Sequence, residues 1–202
     1  MPRASKEQAA THRKTITAAS ARLFRERGFH GVSVADLMGA AGLTHGGFYV
    51  HFESKESLAV EACAKALEEG VARWRRRMAG ESTPSAQRAA LIDGYLSSKS
   101  RNDPGKSCAV AALVNDVARE PLDSLVRATY TAGLEERLAI LASVQQTGDS
   151  AEDRARAILD CSTMVGALVL SRATSGNALS DELLTVVREQ LKSIAPNGAS
   201  TP

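Results

Sequence analysis

The sequence predicts an all-α protein, and three observations carry that prediction. Apolar residues recur at three- and four-residue spacing along the chain. The segments that hold them are rich in alanine and leucine and poor in alternating β-branched runs. Each segment is also set off by a cap residue, a glycine or a proline, which gives about nine helices. Aromatic residues are only 4% of the 202 residues, so these helices must pack through small and aliphatic side chains.

Taken in order, the N-terminal stretch is a basic helix that ends near Gly28. Ser33 then caps a short helix, with Asp36 three residues on as in a capping box, and Val34, Leu37, Met38 and Ala41 share its inner face. Gly42 supplies the left-handed turn that ends it, and Leu43 with the cap Thr44 starts a second helix at a steep angle. On that second helix Phe48 and Phe52 fall together on the inner side, whereas Gly46, Tyr49 and Val50 fall on the opposite side. A large aromatic pointing outward from a glycine-broken helix pair is the layout of a DNA-reading helix-turn-helix.

Ser54 caps a long helix that runs through Leu58, Val60, Ala62, Ala66 and Leu67 to the cluster Arg73, Arg75, Arg76 and Arg77, and ends near Gly80. After GESTPS, Pro84 suits the first turn of a helix continuing to about Ser100, with Leu91, Ile92, Tyr95 and Leu96 inward. The loop RNDPGKS leads to a short apolar helix from Ser107 with Cys108, Val110, Leu113, Val114 and Val117, broken at Glu120 and Pro121. A further helix covers Leu122 to about Gln146, with Leu125, Val126, Tyr130, Leu134, Leu138 and Leu141, before Gly148 and Asp149. Two last helices span roughly 151–174 and 180–194, with Ser180 as the cap of the second. The first of these is apolar around most of its circumference, through Ile158, Leu159, Cys161, Met164, Val165, Leu168 and Leu170, so it needs cover on more than one side. Ala157, Gly166 and Ala167 would let a partner helix approach closely.

Net charge is +2 overall but unevenly divided. Residues 1–27 hold Arg3, Lys6, Arg13, Lys14, Arg22, Arg25 and Arg27 against Glu7 and Glu26. Beside a helix-turn-helix this basic end reads as phosphate-facing charge.

The run GLTHGGFYVHFESKESL resembles the signature of the TetR/AcrR family of bacterial transcriptional regulators, with Tyr49, His51, Phe52, Ser54 and Lys55 in the places that carry it. ARLFRERGFHGVSVADL is similar to that family's first helix, its corner at Gly28, Phe29 and Gly31, and the start of its second helix. The close resemblance covers about a quarter of the chain. It implies a basic flexible arm over 1–10, a three-helix DNA-binding domain over 11–60, a ligand-binding and dimerisation domain over 61–195 and a flexible tail over 196–202. It further implies a homodimer, formed through the last two helices, that binds a palindromic double-stranded operator as a repressor and is released by a small-molecule inducer, apolar or aromatic in character.

Carried over by position, Thr44, His51 and Lys55 would hold phosphates together with the amides near Ser33 and Val34. His45, Gly46, Gly47, Tyr49 and Val50 would meet base edges. Glycine at both 46 and 47 departs from the commoner family pattern and costs about 1 kcal/mol each in a helix, with close backbone approach to the duplex as the return. Candidate ligand-lining residues on pattern alone are Trp74, Tyr95, Cys108, Leu113, Tyr130, Met164 and Leu168.

Enzyme classes find little support. There is no Gly-x-Ser-x-Gly elbow, zincin motif or Gly-x-Gly-x-x-Gly loop, and Gly105-Lys106-Ser107 lacks the first glycine of a phosphate loop, where Ser100 stands. Cys63, Cys108 and Cys161 are too far apart for a metal knuckle, and no two histidines sit at i and i+4 on one helix, so neither a metal nor another cofactor is expected. No segment is apolar for long enough to span a membrane and MPRASKEQAATHRK has no apolar signal region, which predicts a cytoplasmic protein. Two alternatives remain: a thiol sensor of electrophiles or oxidants using Cys108 at the start of its helix near Lys106, and a helical protein-interaction adaptor that does not bind DNA.

Overall fold

A computed structural model describes residues 3–194, with side chains from Lys6 onward, and every regular element among them is helical. The elements are α1 (Arg3–Arg27), α2 (Val34–Ala40), α3 (Phe48–His51), α4 (Lys55–Met78), α5 (Pro84–Tyr95), α6 (Ser98–Asn102), α7 (Ala109–Arg119), α8 (Leu125–Ser143), α9 (Ser150–Ala173) and α10 (Ala178–Ser193). Short 3-10 turns at His45–Gly47 and Pro104–Lys106 complete the set. The count is ten helices among the described residues rather than about nine, because the single helix expected over 84–100 is two. Leu96 leaves helical geometry at φ −87°, ψ 56°, and Ser97 starts α6 by accepting from the Ser100 N–H. The Ser97 and Ser100 hydroxyls both donate to the Gly94 carbonyl, so a local polar cluster makes the break.

Three other boundaries moved for similar reasons. Ser124 caps α8 and delays its start to Leu125. Asn177, not Ser180, caps α10, while Ser180 is buried against Ser171. Residues 3–10, expected as an arm, are the first turns of α1, since SKEQAA is built of good helix formers. Residues 1–2 and the tail expected over 196–202 lie outside the described residues.

One hydrophobic core runs the length of the molecule. At one end Phe24, Phe29, Leu37, Met38, Phe48 and Phe52 close α1–α3 over the start of α4. Helix α4 then continues into the larger bundle, where Trp74, Leu91, Leu113, Leu141 and Leu168 are fully covered. Two polar links tie the halves. Arg25 of α1, nearly buried, donates to the Gly105 carbonyl at 2.7 Å and pairs with Glu69 of α4 at 3.1 Å. The Phe29 N–H donates to Asp116 of α7 at 3.2 Å. No helix among the described residues is long and apolar enough to cross a membrane.

Candidate nucleic-acid interface and central cavity

Ser33 accepts from the Asp36 N–H while Asp36 accepts from the Ser33 N–H at 2.8 Å, so the expected capping box is formed. The Asp36 carboxyl also accepts from the Ser33 hydroxyl at 2.6 Å, and this bond, then the one from the Ser33 N–H, holds it below its ordinary pKa. Gly42 takes φ +71°, the left-handed turn the spacing requires. The following segment is not one continuous helix. Thr44 sits at its cap position without a side-chain cap bond, His45–Gly47 form a 3-10 turn, and α3 is a single turn.

This segment is held from behind. Phe48 and Phe52 are buried and stack at 5.8 Å. Arg13 lies over the Phe52 ring at 4.3 Å, donates to the His51 carbonyl and pairs with Glu61. Tyr49 and Val50 are 69% and 77% exposed, and Ser33, Thr44, His45 and Gly46 stand with them on the outer surface. Val34, Gly47, His51 and Lys55 are half-buried at the margin. All ten residues singled out by sequence are therefore at least partly exposed.

Two of them carry internal duties as well. The Lys55 ammonium donates to the Val32 carbonyl at 2.5 Å, closing the loop before α2. His51 lies 5.8 Å from His12, and burial, then the neighbouring His12 and Arg13 charges, lower its pKa below the usual imidazole value. The basic N-terminal run also divides: Arg13 and Arg25 are committed to internal partners and Arg22 pairs with Glu26, which leaves Lys6, Lys14 and Arg27 exposed. The role of Arg13 and Arg25 in positioning was not readable from a charge count, because their acids lie more than forty residues away on α4.

The larger bundle contains a cavity of about 10 Å³, room for one water, between α4, α5, α8 and the start of α7. Of the residues expected to line a ligand site, Trp74, Tyr95 and Cys108 meet there. Leu113, Tyr130, Met164 and Leu168 do not. They are packed into the core, and the Tyr130 hydroxyl is engaged with the Val110 carbonyl at 3.0 Å. Sequence reasoning missed the cavity's polar members, Arg73, Arg77 and Arg137. Toward solvent the cavity meets a cleft of about 330 Å³ that shares Arg73, Arg77, Ser100 and Ser107. Cys108 sits at the α7 N-cap, where its sulfur accepts from the Ala111 N–H at 3.4 Å. Burial pushes the thiols of Cys63 and Cys161 up, to about 12 and about 11.

On α9 the apolar circumference divides cleanly. Ala157, Met164, Ala167 and Leu168 face the protein's own core, whereas Ile158, Leu159 and Leu170 are 43%, 66% and 54% exposed. Of the three small residues expected to admit a partner, only Gly166 lies on the outer side, where a Cβ would meet nothing within 4 Å. On α10 Leu179 and Val186 are exposed as well.

Residues 16–62 match the family model described as bacterial regulatory proteins, tetR family. Over 51 residues the chain is 37% identical to an uncharacterized HTH-type transcriptional regulator, YerO of Bacillus subtilis (strain 168); that match spans 25% of this chain and 18% of the relative's length. It is 25% identical to the HTH-type transcriptional repressor DhaR of Mycobacterium sp. (strain GP1) over 186 residues, 89% of this chain and 91% of that one. A TetR transcriptional regulator of Chloroflexus aurantiacus, solved as a crystal structure, superposes with a TM-score of 0.76 at 25% identity, covering 93% of this chain and 95% of the other.

Proposed function

The chain belongs to the TetR family of bacterial regulatory proteins, and we propose that it is a homodimeric repressor that binds a palindromic operator and is released by a small molecule. The observation that carries this is the exposed face from Ser33 to Lys55, held rigid by Arg13, Phe48 and Phe52 while Tyr49 and Val50 remain uncovered. An exposed aromatic on a turn pinned from behind suits a groove. In this reading Thr44, His51, Lys55 and the amides near Ser33 and Val34 hold phosphates. His45, Gly46, Gly47, Tyr49 and Val50 meet the bases.

Dimerisation through α9 and α10 would place two such faces on a two-fold axis, and the exposed Leu159, Leu170, Leu179 and Val186 with the open Gly166 suit that packing. Residues 61–195 then act as the ligand-binding and dimerisation part, joined to the reader by α4. From Lys55 to Arg73 that helix spans about 27 Å at 1.5 Å per residue, so one rigid element touches both the reader and the cavity. Arg25 adds a second route, because it holds the Gly105 carbonyl in the loop at the cavity mouth. A ligand that moved this loop would act on α1 directly.

A second reading, thiol sensing through Cys108, is favoured by one observation: of the three cysteines, Cys108 alone lines the cavity. Gel-shift titration on the DNA upstream of the protein's own gene tests the main reading. Salt-dependent, saturable binding to a palindrome is expected, and no shift at micromolar protein would favour a helical adaptor instead.

A further inference from the structure

Three arginines among the described residues are nearly fully buried: Arg25, Arg88 and Arg137. Arg25 has Glu69 and the Gly105 carbonyl. Arg88 has both oxygens of Asp160, at 2.9 and 3.0 Å, and the Leu191 carbonyl. Arg137, 2% exposed on α8, has neither: among the described residues no acid pairs with it, and its Nε and Nη2 are buried without a hydrogen-bond partner. Its guanidinium carbon lies 4.2 Å from the centroid of the Trp74 ring, a cation–π contact that uses none of its N–H donors.

Arg137 lines the central cavity together with Arg73 and Arg77. A buried cation without an acid is costly, and adding two like charges makes it more so. Burial and the nearby guanidiniums lower the pKa of both Arg73 and Arg77. The backbone nonetheless makes room for the cluster. A Cβ on Gly70 would stand 2.5 Å from the Arg137 guanidinium, and one on Gly94 would collide with that of Arg77. Lys99 and Lys106 continue the positive charge into the outer cleft, opposed there by Asp103.

We propose that Arg137, with Arg73 and Arg77, is a receptor for the anionic head, carboxylate or phosphate, of a small organic ligand. The unpartnered Nε and Nη2 of Arg137 form the fork that suits bidentate binding of either group, and the contact with Trp74 restrains the side chain. The volume of about 10 Å³ admits only a water, so the head enters as Arg77 or the loop at 103–107 gives way. Arg73 donates to the Ser107 carbonyl at 3.0 Å, two residues from the Gly105 carbonyl held by Arg25. Anion capture by Arg73 thus bears on the loop that contacts the DNA-reading half. The proposal rests on the reading of a ligand-released regulator and changes the expected inducer from simply apolar or aromatic to negatively charged.

Trp74 is the only tryptophan, so its fluorescence reports on Arg137 directly. Benzoate and phenyl phosphate, titrated at constant ionic strength, should each give a saturable change at millimolar concentration, and benzamide, the uncharged analogue of benzoate, none. A response to only one anion assigns the head to that chemistry. Arg137→Met should abolish the response and raise the melting temperature of the ligand-free protein, and Arg77→Gln should weaken anion binding at least tenfold. Equal responses to benzamide and benzoate, silence toward both anions, or a fall in the melting temperature of Arg137→Met would each overturn the proposal. Operator release is read separately by gel shift. Anion binding without release supports the site and refutes ligand release through it; release by a ligand indifferent to Arg137→Met supports ligand release and overturns the anion site.

Discussion

Replacing Leu159 by glutamate tests the proposed assembly through α9 and α10. The side chain is 66% exposed in the single protomer, on an outward stripe with Gly166 and Leu170. Fully burying a leucine contributes about 1.5–3 kcal/mol, so covering two thirds of one contributes about 1–2 kcal/mol. A two-fold axis doubles this to about 2–4 kcal/mol. A carboxylate forced into the same apolar seam adds a desolvation cost of a few kcal/mol for the pair. The dimer should lose about 5 kcal/mol or more, which raises its dissociation constant by at least about a thousandfold. Light scattering after size exclusion should then show monomers at micromolar concentration, with palindrome binding lost and the helical circular dichroism retained. The control is Leu168→Glu: Leu168 is fully buried in the protomer's own core, so that change should unfold the chain instead of splitting a dimer. A Leu159→Glu protein that stays dimeric and binds the palindrome normally would refute the interface.

Four further outcomes follow from the site and its supports. Tyr49→Ala should weaken operator binding by about 1–3 kcal/mol per half-site with the melting temperature nearly unchanged, because the side chain is 69% exposed; early unfolding with normal binding would place Tyr49 in the fold. Lys55→Met should flatten the salt dependence by about one unit per half-site and, through the lost bond to the Val32 carbonyl, lower stability by about 1–2 kcal/mol; lowered stability with an unchanged slope would assign Lys55 wholly to that carbonyl. His51 titrates below its ordinary value when folded, so the unfolded chain binds the proton more readily and stability falls as pH drops below about 6.5. A phosphate on His51 favours the imidazolium, so operator affinity should rise over the same interval, and His51→Gln should flatten both curves; a wild-type affinity that ignores pH there removes His51 from the contact set. Arg88→Met leaves Asp160 buried with only Gln145 beside it, and should cost about 3–5 kcal/mol and on the order of 10 °C in thermal unfolding at fixed protein concentration; a shift under about 2 °C would show the pair to be dispensable.

The helix-turn-helix was legible because its determinants are local. A serine cap, a left-handed glycine and two phenylalanines four residues apart fix the inward and outward sides of a short element without reference to the rest of the chain. Where distant groups decide, the sequence was mute. The basic N-terminus reads as a phosphate-facing run, yet Arg13 and Arg25 find Glu61 and Glu69 on α4 and become struts. An α9 apolar on all sides announces cover from two directions, but assigning Leu168 inward and Leu159 outward needs the position of α8 and α10. Ser180 has the sequence of a cap and is instead claimed by Ser171, leaving the role to Asn177.

Arg137 lies between these cases. Its spacing from Tyr130, Leu134, Leu138 and Leu141 places it on the inner stripe of α8, so an arginine directed into the core was readable from periodicity alone. Periodicity does not say what meets it there. Such a residue has three ordinary resolutions: an acid from another helix, as Asp160 provides for Arg88; a backbone carbonyl, as Gly105 provides for Arg25; or a group that is not part of the chain. Only the packed fold shows that the first two are absent around Arg137, while Gly70 and Trp74 are shaped to keep it. The same packing sets Arg73 and Arg77 on α4, the helix whose first turn carries Lys55 beside the DNA-reading face. An anion that relieved the repulsion among these three arginines would therefore act on an element shared with the reader, and the unfavourable ligand-free arrangement supplies the free energy for that coupling.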